Sequence, residues 1–183
     1  MRIRHLAGIA VAAAQGERGR LPTLYQAAVD DGVAVADLFE ATLQVFLFAG
    51  YPRTIDAFQA LRAVVGDEAM PPLEPAPADL PERGQATFEA VYGPHTQIVI
   101  DKLNALHPDF ARFVLRDAYG QVLGRPFLSL IDRELLAVAM LAALDLPPQL
   151  RAHIRGARRA GAQESAIEQC LAVSLSERGG TGA

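Results

Sequence analysis

Between residues 131 and 175 the apolar positions recur at helical spacing in three successive runs. Leu135, Leu136, Ala139, Met140 and Ala143 share one face of a first helix. Asp145-Leu146-Pro147-Pro148 ends it. Proline is tolerated in a helix's first turn but not in its interior, so a second helix is predicted from about Pro148, with Leu150, Ile154 and Ala157 on its apolar face. Gly161 closes that helix, and Ala162-Gln163-Glu164-Ser165 opens a third that buries Ile167, Cys170, Leu171 and Leu175. Two ionisable residues, Glu134 and His153, interrupt this otherwise ordinary pattern.

The N-terminal half reads similarly. Superposing Gly32 on Gly161 without gaps lays Arg4, Leu6, Ala10, Ala13, Ala14, Leu21 and Ala28 on Arg133, Leu135, Ala139, Ala142, Ala143, Leu150 and Ala157. Turns and helices recur in the same order, as expected of a repeated supersecondary unit. Met1 to His5 followed by the apolar stretch Leu6 to Ala14 also has the layout of a secretory signal, but the repeat favours a folded helix over residues 3 to 15. That stretch is far shorter than the roughly 20 residues a membrane span requires. Val35 to Phe48 reads as one long helix apolar nearly all round, which must be covered on more than one side, between repeats or subunits. Ala49-Gly50-Tyr51-Pro52 ends it before a further helix with Ile55, Phe58, Leu61 and Val65.

The sequence thus predicts an all-α fold of two helical repeats joined by a Pro-rich linker: residues 1–66, a linker at 67–82, residues 83–176, and a flexible tail at 177–183. Within the second unit, helices are expected over 82–93, 95–106 and from Pro108 to Tyr119. A chain of 183 residues, 51% of them hydrophobic, can bury a substantial core. A formal net charge of −4 gives no reason to expect nucleic acid or an anionic membrane as partner. Arg151, Arg155, Arg158 and Arg159 form a local basic cluster, read either as a solvated helix face or as an anchor for an anionic ligand. One cysteine excludes an intramolecular disulfide and suits a reducing, cytoplasmic setting. His95 and His107 flank prolines at helix starts and read as caps or surface residues.

Arg133-Glu134-Leu135-Leu136, Leu141-Ala142-Ala143-Leu144, His153-Ile154-Arg155-Gly156-Ala157 and Ala160-Gly161-Ala162 resemble the carboxymuconolactone decarboxylase family, whose superfamily includes the alkyl hydroperoxidase D-like proteins. His107 to Arg112, Ala118-Tyr119-Gly120 and Arg125-Pro126 resemble the decarboxylase branch upstream of that helix, so the likeness runs from about Arg83 to Leu175. In the hydroperoxidase branch the motif is a glutamate, a Cys-x-x-Cys pair and a histidine. Aligned on His153 it places Glu134 at the glutamate but Leu146 and Gln149 at the cysteines. Without those thiols, thiol-dependent peroxide reduction is not expected, and Cys170, on an apolar face, does not replace them.

The decarboxylase branch needs no thiol. Release of carbon dioxide from a carboxymuconolactone leaves electron density that must be stabilised and protonated, a task for an acid that exchanges protons near neutral pH. The resemblance assigns that role to His153, with Glu134 orienting the imidazole and Arg133, Arg151 and Arg155 binding substrate carboxylates through forked hydrogen bonds. Counting along a straight hairpin offsets Glu134 and His153 by roughly 9 Å, so a water, a substrate or a crossing angle must join them. At the corresponding places the first repeat has His5 and Leu24 and reads as structural. No zinc spacing, phosphate-binding glycine loop or Ser-His-Asp arrangement is present, and no metal or cofactor is expected. The implied function is lyase chemistry on a small anionic lactone or keto acid by a homo-oligomer, a trimer by analogy with two-repeat family members. The alternative is a non-catalytic protein of the same fold that binds a small ligand or serves assembly.

Overall fold

The computed structural model describes residues 1–72 and 77–176, which are helical with no strand among the described residues. Part of the linker, residues 73–76, and the tail 177–183 expected to fray lie outside the described residues, as does the side chain of Leu175. Four helices make up the first part of the chain: α1 (Arg2–Gln15), α2 (Leu21–Asp30), α3 (Val35–Gln44) and α4 (Phe46–Val65). The second part has α5 (Leu80–Tyr92), α6 (Thr96–Leu106) and α7 (Pro108–Phe113), which runs on into a π-helical segment, Val114–Leu123. It closes with α8 (Leu130–Ala143), α9 (Pro147–Ala160) and α10 (Glu164–Ser176).

The core is built around α1 and α8. Leu6, Ala7 and Ile9 to Ala14 of α1 are buried, as is every residue from Asp132 to Leu141 of α8. The many alanines in both helices let them lie close together, and α1 also packs on α2, α3, α4 and α10. Each fully buried Leu or Ile here contributes about 1.5–3 kcal/mol. No described helix is long and apolar enough to cross a membrane.

The long apolar helix expected over Val35 to Phe48 is divided: α3 ends at Gln44, α4 starts at Phe46, and α4 is itself kinked at Gly50 (φ 72°, ψ −178°) just before Pro52. Its polar residues explain α3's position between the two parts of the chain. Glu40, 2% exposed, accepts from the Arg125 guanidinium (Nη2 to Oε1, 2.8 Å) and from Arg133 Nη2 on α8 (2.8 Å). Gln44 Nε2 donates to the Arg133 carbonyl at 2.7 Å.

The helix expected from Pro108 to Tyr119 also differs. It changes from α to π winding at Val114 and extends to Leu123, because it is shaped by packing on α5 as well as by its own pattern. There a Cβ at Gly120 would lie 2.7 Å from the Leu80 carbonyl oxygen, so the two backbones meet directly. A small second core of Phe88, Val91, Tyr119 and Leu123 fills this joint.

Candidate functional site

Glu134 lies in the middle of α8 and is completely buried, while His153 on the neighbouring α9 is 9% exposed. The His153 Nδ1 atom lies 3.1 Å from Glu134 Oε2. As a carboxylate, Glu134 accepts from Nδ1–H, which fixes the ring's orientation and leaves Nε2 for another partner. No bridging water or substrate is needed to join the pair. The helices come close at Gly156, three residues beyond His153 on the same face: a side chain there would fall on the Glu134 carboxylate and lie 3.0 Å from Val91 Cγ1 of α5. The other carboxylate oxygen, Glu134 Oε1, is buried with no hydrogen-bond partner among the described residues. Phe48 of α4 covers the imidazole, its ring at a steep angle and 6.0 Å from the His153 ring centre.

Two tyrosines complete the surroundings. Tyr119, from the π-helical segment, donates its hydroxyl proton to the Tyr92 hydroxyl of α5 at 3.0 Å. Burial raises the Tyr92 phenol above its usual value, opposed by the Tyr119 hydrogen bond and by the Arg155 charge, while the Glu134 charge adds to the rise. Tyr119 is raised well above its usual value, again by burial first and then by Tyr92 and Glu134. Both phenols are therefore neutral donors at physiological pH.

Tyr92 also lines a cleft of about 340 Å³ between α5, α6 and α9, together with His95, Lys102, Gln149, Arg155 and Arg159. No carboxylate is among its lining residues, so within a chain of net charge −4 this cleft is locally cationic. Arg159 is partly engaged, donating from Nη1 to the Val91 carbonyl at 2.9 Å. Glu134 and His153 are not on the cleft wall, but Tyr92 belongs both to that wall and to the charged surroundings of Glu134. Two larger clefts, each about 760 Å³, contain neither member of the pair.

Of the three arginines expected to bind substrate, only Arg155 reaches this cleft. Arg151 is on the exposed side of α9. Arg133 is fully buried against Glu40 and donates to the Arg125 carbonyl at 3.1 Å. At the positions of the hydroperoxidase cysteines, Leu146 ends the turn before α9, and Gln149 lines the cleft. Cys170 is buried with its thiol pushed up to about 11 by burial, reinforced by the Asp132 charge, so it remains a protonated thiol. His107 caps α7, accepting from the Asp109 amide at 3.1 Å, whereas His95 faces the cleft. The sequence pattern did not single out Tyr92, Phe48 or Lys102 as part of this region, whereas Arg159 belongs to the basic cluster expected either as a solvated face or as an anion anchor.

The model of the carboxymuconolactone decarboxylase family matches residues 108–183. A fission yeast protein (Schizosaccharomyces pombe) named Peroxisomal protein 2 is 31% identical over 75% of this chain and 67% of its own length. Its namesake in Saccharomyces cerevisiae is 25% identical over 88% of this chain and 66% of its own. The 4-carboxymuconolactone decarboxylase of Acinetobacter baylyi is 31% identical over 42% of this chain and 58% of its own. The chain spans about two thirds of the length of the two yeast relatives. It belongs to the carboxymuconolactone decarboxylase family.

Proposed function

We propose that this family member is a lyase that decarboxylates a small anionic lactone or keto acid, with His153 as the acid and Glu134 as its positioning partner. The observation that carries the reading is the buried hydrogen bond between Glu134 and His153, formed by the two residues that align with the glutamate and histidine of the related hydroperoxidase branch. The cationic cleft alongside supports an anionic substrate, with Arg155 and Lys102 as the groups that pair with its carboxylates. Arg133 and Arg151 have no part in this version of the site.

The chemistry requires no thiol. As the bond to the departing carboxylate breaks, its electron pair moves into the conjugated lactone and onto the carbonyl oxygen, and carbon dioxide leaves. The imidazolium of His153 then gives its Nε2 proton to carbon and is reprotonated by solvent, while Glu134 stabilises the charged ring throughout. The relative in Acinetobacter baylyi named as a decarboxylase supports this reaction class. The two relatives named for the peroxisome favour that compartment over the cytoplasm.

The order α1–α2–α3, with Gly32 at φ 76° after α2, and α8–α9–α10, with Gly161 at φ 98° after α9, supports two copies of one unit, residues 1–66 and 83–176. The first copy carries no working pair: His5 stands where Glu134 does, and its Nε2 lies 2.7 Å from Asp31. Exposed Tyr51, Ile55, Leu106 and Phe113 support self-association, and the trimer, which rests on analogy with two-repeat family members, is what sedimentation would measure.

The test is carbon dioxide release from carboxymuconolactone and a panel of small keto acids by the purified wild type beside Cys170→Ser. The lyase reading expects turnover of at least one substrate, unchanged in Cys170→Ser. Ligand binding without turnover of any would favour the non-catalytic alternative, and activity lost with Cys170 would return thiol chemistry to consideration.

A further inference from the structure

We infer that Tyr92 is a catalytic hydrogen-bond donor of the Glu134/His153 site, donating a hydrogen bond from its intact phenolic O–H to the oxygen on which the substrate's negative charge develops, and that Tyr119 is its positioning residue. The inference rests on the lyase reading for the identity of the substrate and adds the group that reading lacks. His153 can deliver a proton, but nothing in the pair stabilises the oxyanion formed before protonation.

Three observations lead to Tyr92. Its hydroxyl oxygen is already occupied as an acceptor, because Tyr119 donates to it at 3.0 Å. Its own proton is thereby directed elsewhere, and no described residue accepts it. Tyr92 lies on the wall of the cationic cleft, beside Arg155 and Gln149, where an anionic ligand would meet it. Its neighbour Val91 is packed at the Gly156 notch occupied by the Glu134 carboxylate, which ties the end of α5 to the pair. Among buried phenols, one that receives a hydrogen bond and faces a cation is a better donor than one that does not, since each interaction favours negative charge on its oxygen and offsets part of the rise caused by burial.

The π winding of Val114–Leu123 accounts for Tyr119. It places Tyr119 in the second core, its ring 4.6 Å from that of Phe88 and edge-on to it, with the hydroxyl reaching Tyr92. Tyr119 is 4% exposed and acts only through Tyr92. During turnover no bond to Tyr92 is made or broken: the phenolic O–H remains intact and its hydrogen bond strengthens as the substrate oxygen gains charge.

The test uses the full chain as wild type, Tyr92→Phe and Tyr119→Phe, with two readouts. Calorimetric titration with the unreactive dicarboxylate cis,cis-muconate should show binding weakened about tenfold or more in Tyr92→Phe, the usual consequence of losing a hydrogen bond to a charged group. Carboxymuconolactone turnover, expressed per site counted by the calorimetric stoichiometry, should fall roughly 100-fold in kcat for Tyr92→Phe. In Tyr119→Phe it should fall less, with KM and muconate binding near those of the wild type. Counting sites removes the trivial effect of misfolded protein. Muconate binding and kcat both within twofold of wild type in Tyr92→Phe would overturn the assignment, as would a wild type that binds no anion. If the wild type has no turnover but binds muconate in a Tyr92-dependent way, the lyase reading fails while Tyr92 stands as the ligand's donor.

Discussion

Gly156→Ala separates local propensity from site geometry, because the two predict opposite signs. Glycine in a helix interior is about 1 kcal/mol less favourable than alanine, so on propensity alone the substitution should stabilise α9 by that amount. The site predicts the reverse. The new Cβ would fall on the Glu134 carboxylate, 3.0 Å from its Cδ, with Val91 Cγ1 also 3.0 Å away, so the carboxylate cannot remain where it accepts from His153. Overpacking of this kind costs about 1–3 kcal/mol. Losing a buried hydrogen bond to a charged group adds roughly 1.5–3 kcal/mol. Offset by the gain in propensity, the expected net loss is about 2–5 kcal/mol, read as a shift in the urea unfolding midpoint at unchanged slope. Turnover should fall as well, because the imidazole loses its fixed orientation. A Gly156→Ala protein as stable as wild type, or more so, would refute the close packing of Glu134 on α9 and with it the geometry of the pair.

Two further predictions concern the surrounding frame. Glu40→Gln leaves the buried Arg133 and the partly buried Arg125 without their shared carboxylate, and breaking such a pair costs about 3–5 kcal/mol. For a chain of this size that lowers the melting temperature by roughly 10 °C, and a melt within about 1 °C of wild type would show the cluster to be dispensable. Tyr25, Tyr92 and Tyr119 have folded-state values raised above the usual value of about 10, chiefly by burial. The unfolded chain then releases these protons first, so their contribution to stability is complete below about pH 10 and is lost as the pH rises through the folded values. Ultraviolet titration should show these phenolates appearing together with alkaline unfolding. Their stepwise appearance in the folded protein near pH 10 would contradict the burial.

The sequence revealed the pair but not its setting. Glu134 and His153 were legible because the family motif fixes their spacing within one helical hairpin, and because Pro147-Pro148 and Gly161 mark the hairpin's limits. Their offset was overestimated because α9 begins at Pro147 and crosses α8 closely at Gly156, a packing detail that residue counting does not contain. Arg133 is expected among the ligand groups as a forked donor to substrate carboxylates. Consecutive helical residues point about 100° apart, and Arg133 faces Glu40 of α3 instead. Tyr92 and Tyr119 were invisible as a pair because they are joined only by the packing of α5 on the π-helical segment, whose winding has no signature in the apolar pattern. The break at Val45 between α3 and α4 has no signal in the apolar pattern either, since Leu43 and Val45 to Phe48 carry that pattern across it.

The central claim is that the Glu134–His153 hydrogen bond is the working part of the protein, and carboxymuconolactone turnover by wild type, His153→Ala and Glu134→Gln tests it most directly. The account predicts that His153→Ala abolishes measurable turnover. It also predicts that Glu134→Gln, which keeps the side chain's shape but removes its charge, lowers kcat by about 100-fold or more with the oligomeric state unchanged. Turnover in both variants within a few-fold of wild type would contradict it, leaving the pair as a buried structural contact.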